Sequence, residues 1–68
     1  MTTGERIRKR RRELKITLES LAKACGTTKQ TINKYEKGTV KEIPISRIEM
    51  IANVLGVSPA YLVGWVEE

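Results

Sequence analysis

Residues 17–38 read TLESLAKACGTTKQTINKYEKG, and this stretch decides the fold. Thr17 supplies a helix N-cap, because its side-chain oxygen can accept from an orphan N–H of the first turn. Ser20 stands where a capping box carries Glu or Gln, so the box is incomplete. Leu18, Leu21, Ala22 and Cys25 recur at spacings of 3, 4 and 7, an apolar stripe on a helix over residues 18–25. Gly26 ends that helix as the left-handed residue after its cap. Thr28, or Thr27, caps a second helix over residues 29–37, and Gly38 stops it. Ile32, with Tyr35 or Glu36, faces inward. Lys29, Gln30, Asn33 and Lys34 form an outward face that is entirely polar.

The same punctuation divides the rest of the chain. A first helix is expected over residues 3–15, with Ile7 and Leu14 seven apart on one face. Arg10 and Arg11 fall between them, so at least one arginine stands at the core boundary and calls for a carboxylate. Arg6, Arg8, Lys9 and Arg12 spread around the outside. A loop over residues 38–44 carries Val40, Lys41 and Ile43. A fourth helix over residues 45–55 places Ile48, Ile51, Ala52 and Leu55 at spacings of 3, 4 and 7, and Gly56 ends it. Ser58 and Pro59 are an N-cap followed by proline at the first helical position. The fifth helix, over residues 59–63, turns Leu62 and Tyr61 inward and ends at Gly64. Phe is absent and β-branched alternation is scarce. The expected fold is all-α, with five helices in one domain.

A domain of 68 residues buries only about 60% of the surface its unfolded chain exposes. One cysteine and no histidine supply neither a disulfide framework nor a zinc-ligand set. Short helices with local contacts are the remaining solution, with dimerisation as added support. The net charge of +5 is unevenly spread. Residues 1–15 hold seven basic and two acidic side chains, and residues 23–41 hold five lysines against Glu36. Residues 42–68 hold one arginine against four glutamates. The electropositive two-thirds points toward a polyanion. No nucleophile–base pair, metal cluster or room for a substantial pocket is evident, so no enzyme, cofactor, metal or small-molecule ligand is expected. Cys25 alone fits a reducing compartment, and it reads as a small core residue rather than a redox switch. No apolar run approaches the roughly 20 residues of a membrane span. The basic N-terminus lacks the apolar segment of a signal peptide, so a cytoplasmic protein is expected. Tyr61 and Trp65 read as core or dimer-surface aromatics. Val63, Trp65 and Val66 read as a cover for the core or part of a dimer contact.

Two short helices joined by a tight turn at Gly26 make a helix-turn-helix over residues 17–37. The outward face of the second helix suits base edges. Gln and Asn bond adenine, Lys bonds guanine, and the methyl of Thr28 could meet a thymine methyl. With Ile51, Ala52 and the run LGVSPAYL at residues 55–62, this stretch resembles the DNA-binding domain of lambdoid phage repressors and Cro proteins. These belong to the broader Cro/CI-type, xenobiotic-response-element regulator family. The resemblance covers residues 4–65 and implies a compact five-helix lambda repressor-like domain.

The resemblance also implies site residues. Base contacts fall to Thr28, Lys29, Gln30, Asn33 and Lys34. Phosphate contacts fall to Thr17, Lys37, Lys41 and the backbone N–H groups around Gly38. Part of the arginine cluster, represented by Arg10, is expected near phosphates as well. The family's arginine on the first helix pairs with a glutamate at the end of the recognition helix, which are Arg11 and Glu36 here, expected to be semi-buried. Leu18 stands where the family often has Gln, so no side-chain DNA contact is carried over to it. The function expected is sequence-specific binding of double-stranded DNA in the major groove. The protein would be a transcription regulator, a phage-type repressor acting as a homodimer on a palindromic operator. It would be bacterial or phage-encoded and associated with the nucleoid. The alternatives are a protein-interaction helix-turn-helix module, an antitoxin autoregulator and a restriction–modification controller. The first of these should show an apolar or acidic third helix. Glu67 and Glu68 read like a cut point before a linker, so residues 1–68 fit either a whole small regulator or the N-terminal part of a longer repressor.

Overall fold

Five helices make the fold, in the order α1 (Thr3–Glu13), α2 (Leu18–Ala24), α3 (Lys29–Lys37), α4 (Ile45–Leu55) and α5 (Pro59–Leu62). The computed structural model describes residues 1–40 and 42–66. Lys41, Glu67 and Glu68, and with them the phosphate contact expected of Lys41 and the cut point expected at residues 67–68, lie outside the described residues.

Four of the helices start at a hydroxyl. Thr17, Thr28 and Ser58 accept from the N–H three residues on, at 3.0, 3.2 and 3.1 Å. Thr2 does the same for Glu5, whose carboxylate accepts in turn from the Thr2 N–H at 2.7 Å, a complete capping box. Hydrogen bonding to Thr2, its backbone N–H first and its side chain second, holds the Glu5 carboxyl below the usual carboxylate range. α4 starts at Pro44 without a side-chain cap.

α1 and α2 both pack on α3, α4 spans α1 and α2, and α5 closes the bundle against α4 and α1. The core they enclose is Ile7, Leu21, Ala22, Cys25, Ile32, Tyr35, Ile48, Ile51, Ala52, Leu55 and Leu62. Each large aliphatic side chain removed completely from water there stabilises the fold by about 1.5–3 kcal/mol. Gly4 lets α1 approach α3 closely. A Cβ added there would fall inside the contact distance of the Tyr35 and Glu36 carbonyl oxygens.

Two expectations about the core are corrected. Leu14 does not share the inward face of Ile7. It is the C-cap of α1 and is 39% exposed. Helical spacing predicts a face only while the helix continues, and α1 ends at Glu13 rather than near residue 15. The chain turns at Lys15, whose φ of 57° is left-handed. The Lys15 N–H donates to Arg12 O and the Ile16 N–H to Arg11 O, both at 3.0 Å. Ile16 then packs on the core instead. At the other end, Trp65 is 82% exposed and Val66 is exposed too, so neither covers the core. Of the three apolar residues there, Val63 alone packs against it.

Three guanidinium groups fasten helix ends that lack enough backbone partners. Arg10 Nε donates to Leu55 O at the end of α4, at 2.9 Å. Arg11 Nη1 donates to Ile16 O after α1, at 2.9 Å. Arg47 Nη1 reaches from α4 to Cys25 O at the end of α2, at 2.8 Å.

Candidate nucleic-acid interface

The outward face of α3 is built by what its inward face must do. Ile32, Tyr35 and Glu36 are buried, which turns Lys29, Gln30 and Lys34 into solvent and leaves Asn33 half-buried at the flank. Thr28 is exposed at the cap and Lys37 at the far end. The five residues expected to read bases therefore occupy one end and one side of a single helix.

Thr17 stands beside them. A shallow depression is lined by Arg11, Thr17, Leu18, Glu19 and Lys29, so the starts of α2 and α3 meet there. The Thr17 oxygen accepts from the Ser20 N–H, which leaves its hydroxyl proton available to an outside acceptor. Leu18 is half-buried and packs on the core.

Glu36 and Arg11 fasten α3 to α1. Nε of Arg11 donates to Oε2 of Glu36 at 2.7 Å and Nη2 donates to Oε1 at 3.2 Å. The side chains are only 12% and 4% exposed. The fork geometry and the third bond to Ile16 O occupy three of the guanidinium's five N–H groups. Arg10, one residue earlier, has a different task. Its bond to Leu55 O and its contact with Glu13 at 3.5 Å hold it at the end of α4, away from this group.

The end of α3 also departs from expectation. Gly38 is left-handed, with φ 76°, and its N–H donates to Tyr35 O at 3.2 Å. The Thr39 N–H donates to Lys34 O at 3.1 Å. Both donors are spent closing the helix, so the Gly38 and Thr39 N–H groups are not free for a phosphate. Lys37 is an exposed cation at that end.

Two features of the site were missed from sequence. Thr31 Oγ1 lies 3.0 Å from Thr28 Oγ1; its position three residues after a capping Thr was the available signal. The Arg47 bond to Cys25 O fixes the start of the turn, and no local pattern announces it. The Cys25 thiol is buried against that turn, and burial pushes its pKa up.

A helix-turn-helix family profile matches residues 7–62. This chain belongs to the Cro/CI-type helix-turn-helix family. Among the relatives of this helix-turn-helix protein is an uncharacterised HTH-type transcriptional regulator of Sinorhizobium fredii. The two are 40% identical over 58 residues, which is 85% of this chain and 40% of that protein. The chain thus spans well under half the length of the curated relatives it matches first. The P22 c2 repressor, solved with a synthetic operator, superposes with a TM-score of 0.88 at 30% identity, over 97% of this chain and 98% of that one. SinR, a master regulator for biofilm formation solved with DNA, gives 0.84 at 30% identity, over 90% and 97%. A part of hydroxypropylphosphonic acid epoxidase from S. wedmorenis has the same fold, with a TM-score of 0.82 at 31% identity, over 90% of this chain but 32% of that enzyme. The helix-turn-helix fold therefore also occurs as a minor part of an enzyme.

Proposed function

We propose that this helix-turn-helix protein reads double-stranded DNA by placing the N-terminal half of α3 in the major groove. The observation that carries the reading is the polar, basic outward face of α3, Lys29, Gln30, Asn33 and Lys34, opposite the buried Ile32, Tyr35 and Glu36. Gln30 and Asn33 supply amides matched to adenine, and the lysines supply donors matched to guanine. Thr28 stands at the cap of the same helix. Thr17, Lys37 and Lys41 are assigned to phosphates, with Arg10 now assigned to the α4 end instead. A protein-docking helix would show apolar or acidic residues on this face, and it shows none.

The finer reading follows from the likeness to the P22 c2 repressor and SinR. The protein acts as a transcriptional repressor in the cytoplasm, as a homodimer on a two-fold operator. Half-sites would lie about 34 Å apart on one face of the duplex. Residues 1–68 act as the DNA-binding domain of a regulator of the relatives' length.

Selection from randomised duplex DNA tests this at two ionic strengths. A two-fold motif with fixed spacing is the expected product. An enriched half-site without its mate would remove the dimer from the proposal but keep the reader. Binding without any enriched sequence would overturn specific reading, and no binding at low salt would overturn DNA as the partner.

A further inference from the structure

We infer that Thr31 is a positioning residue for Thr28, making the Thr28 hydroxyl face DNA as a donor only. The inference rests on the proposed DNA reading and adds a residue to it. Thr28 Oγ1 accepts from the Thr31 N–H at 3.2 Å and lies 3.0 Å from Thr31 Oγ1. A hydroxyl has one proton and two acceptor positions. The backbone N–H fills one acceptor position. The contact between the two hydroxyls admits a donor on either side, and we assign that role to Thr31, whose hydroxyl then fills the other. The Thr28 proton is then the one hydrogen-bonding capacity left on that oxygen.

The consequence is a choice between base edges. In the major groove, guanine O6 and N7, thymine O4 and adenine N7 accept, whereas cytosine N4 and adenine N6 donate. A donor-only hydroxyl pairs with the first group and leaves an amino group unpaired. Without the Thr31 hydroxyl, Thr28 regains a free lone pair and can accept from an amino group as well. The discrimination relaxes although Thr28 itself is unchanged. The two bonds also fix χ1 of Thr28, and with it the place of the Cγ2 methyl relative to the helix. Thr31 is half-buried and Thr28 is exposed, and the bond between them lets Thr31 act on Thr28.

Two variants separate this from simple helix stabilisation. Thr31→Val keeps the shape and the backbone cap but loses the hydroxyl, and Thr31→Ser keeps the hydroxyl. In selection with the 68-residue chain, Thr31→Val is expected to lose about three- to tenfold of its preference for an acceptor edge at one base position, the factor for a single hydrogen bond. Its affinity for random DNA should not change, and Thr31→Ser should restore the preference. Equal losses on specific and random DNA, or no rescue by Ser, would overturn the inference. NMR couplings of Thr28 in the free chain give a readout independent of DNA. One χ1 rotamer is expected in the parent and in Thr31→Ser, and averaging in Thr31→Val. A single rotamer in Thr31→Val would overturn the positioning role even if the parent reads DNA. If the parent enriches no sequence, the DNA reading fails, and the couplings still judge the Thr31–Thr28 pair.

Discussion

The two ends of α3 are built on opposite principles. At its start, Thr28, Lys29 and Gln30 are exposed, with local hydrogen bonds. At its end, Glu36 is locked to Arg11, Gly38 closes the helix, and the carbonyls of Tyr35 and Glu36 abut Gly4 of α1. The difference shows how a short helix is held firmly without using the side chains meant for a partner. Its long-range anchoring is concentrated at the end away from Thr28, Lys29 and Gln30, and that start stays exposed. Substitutions at the closed end should therefore cost stability, and those at the open end should change recognition alone.

The hardest test of that division is Glu36→Ala. It strands the Arg11 guanidinium at a nearly dry site and should destabilise by about 3–5 kcal/mol. Urea unfolding at unchanged slope measures it. A loss below about 1 kcal/mol, the worth of an exposed pair, would show the clamp to be ornamental. Gly4→Ala should follow, at about 1–3 kcal/mol, because a methyl against backbone carbonyls forces α1 away from α3. A neutral result would mean that the two helices can slide apart freely. At the open end, Gln30→Ala should leave the urea midpoint within error. It should cost about 1–3 kcal/mol on the selected site, with base preference relaxed at one position. Equal weakening on random DNA would remove Gln30 from the base-reading set. The smallest effect lies outside α3, as a control. Lys15→Gly relieves a left-handed conformation that costs an L-residue about 1–2 kcal/mol. Glycine returns about 0.5–1 kcal/mol of that through its unfolded-state entropy, so a net gain of about 0–1.5 kcal/mol is expected. A loss would mean that the Lys15 side chain contributes more than its backbone costs.

Much of the fold was legible because its signals are local. Thr17, Gly26 and Thr28 punctuate within a few residues of what they control, and helix spacing decides which side of α3 is apolar. The misreadings come from how the helices end and from tertiary context. Leu14 has the right spacing to join Ile7, but the left-handed turn at Lys15 gives that place to Ile16. Arg10 and Arg11 look alike in sequence. The packing of α3 on α1 takes Arg11 to Glu36, as the resemblance implied, and the packing of α4 on α1 takes Arg10 to Leu55 O. Gly4 carries no pattern, since its role is defined by carbonyls over thirty positions away. For the candidate site, the outward-facing residues of α3 could be listed from spacing. The spent N–H groups of Gly38 and Thr39 could not, because they depend on how the helix closes.

The arginine clamps have a consequence for ion thermodynamics. Composition gives thirteen basic side chains. Arg11 is neutralised in place by Glu36, and Arg10 and Arg47 have N–H groups committed to Leu55 O and Cys25 O. Each phosphate truly neutralised on a duplex frees about 0.9 of a condensed counterion. The number of cations released per bound chain should therefore track the lysines proposed for DNA, Lys29, Lys34, Lys37 and Lys41. The nominal charge of the chain overstates how strongly its grip on a polyanion should respond to salt.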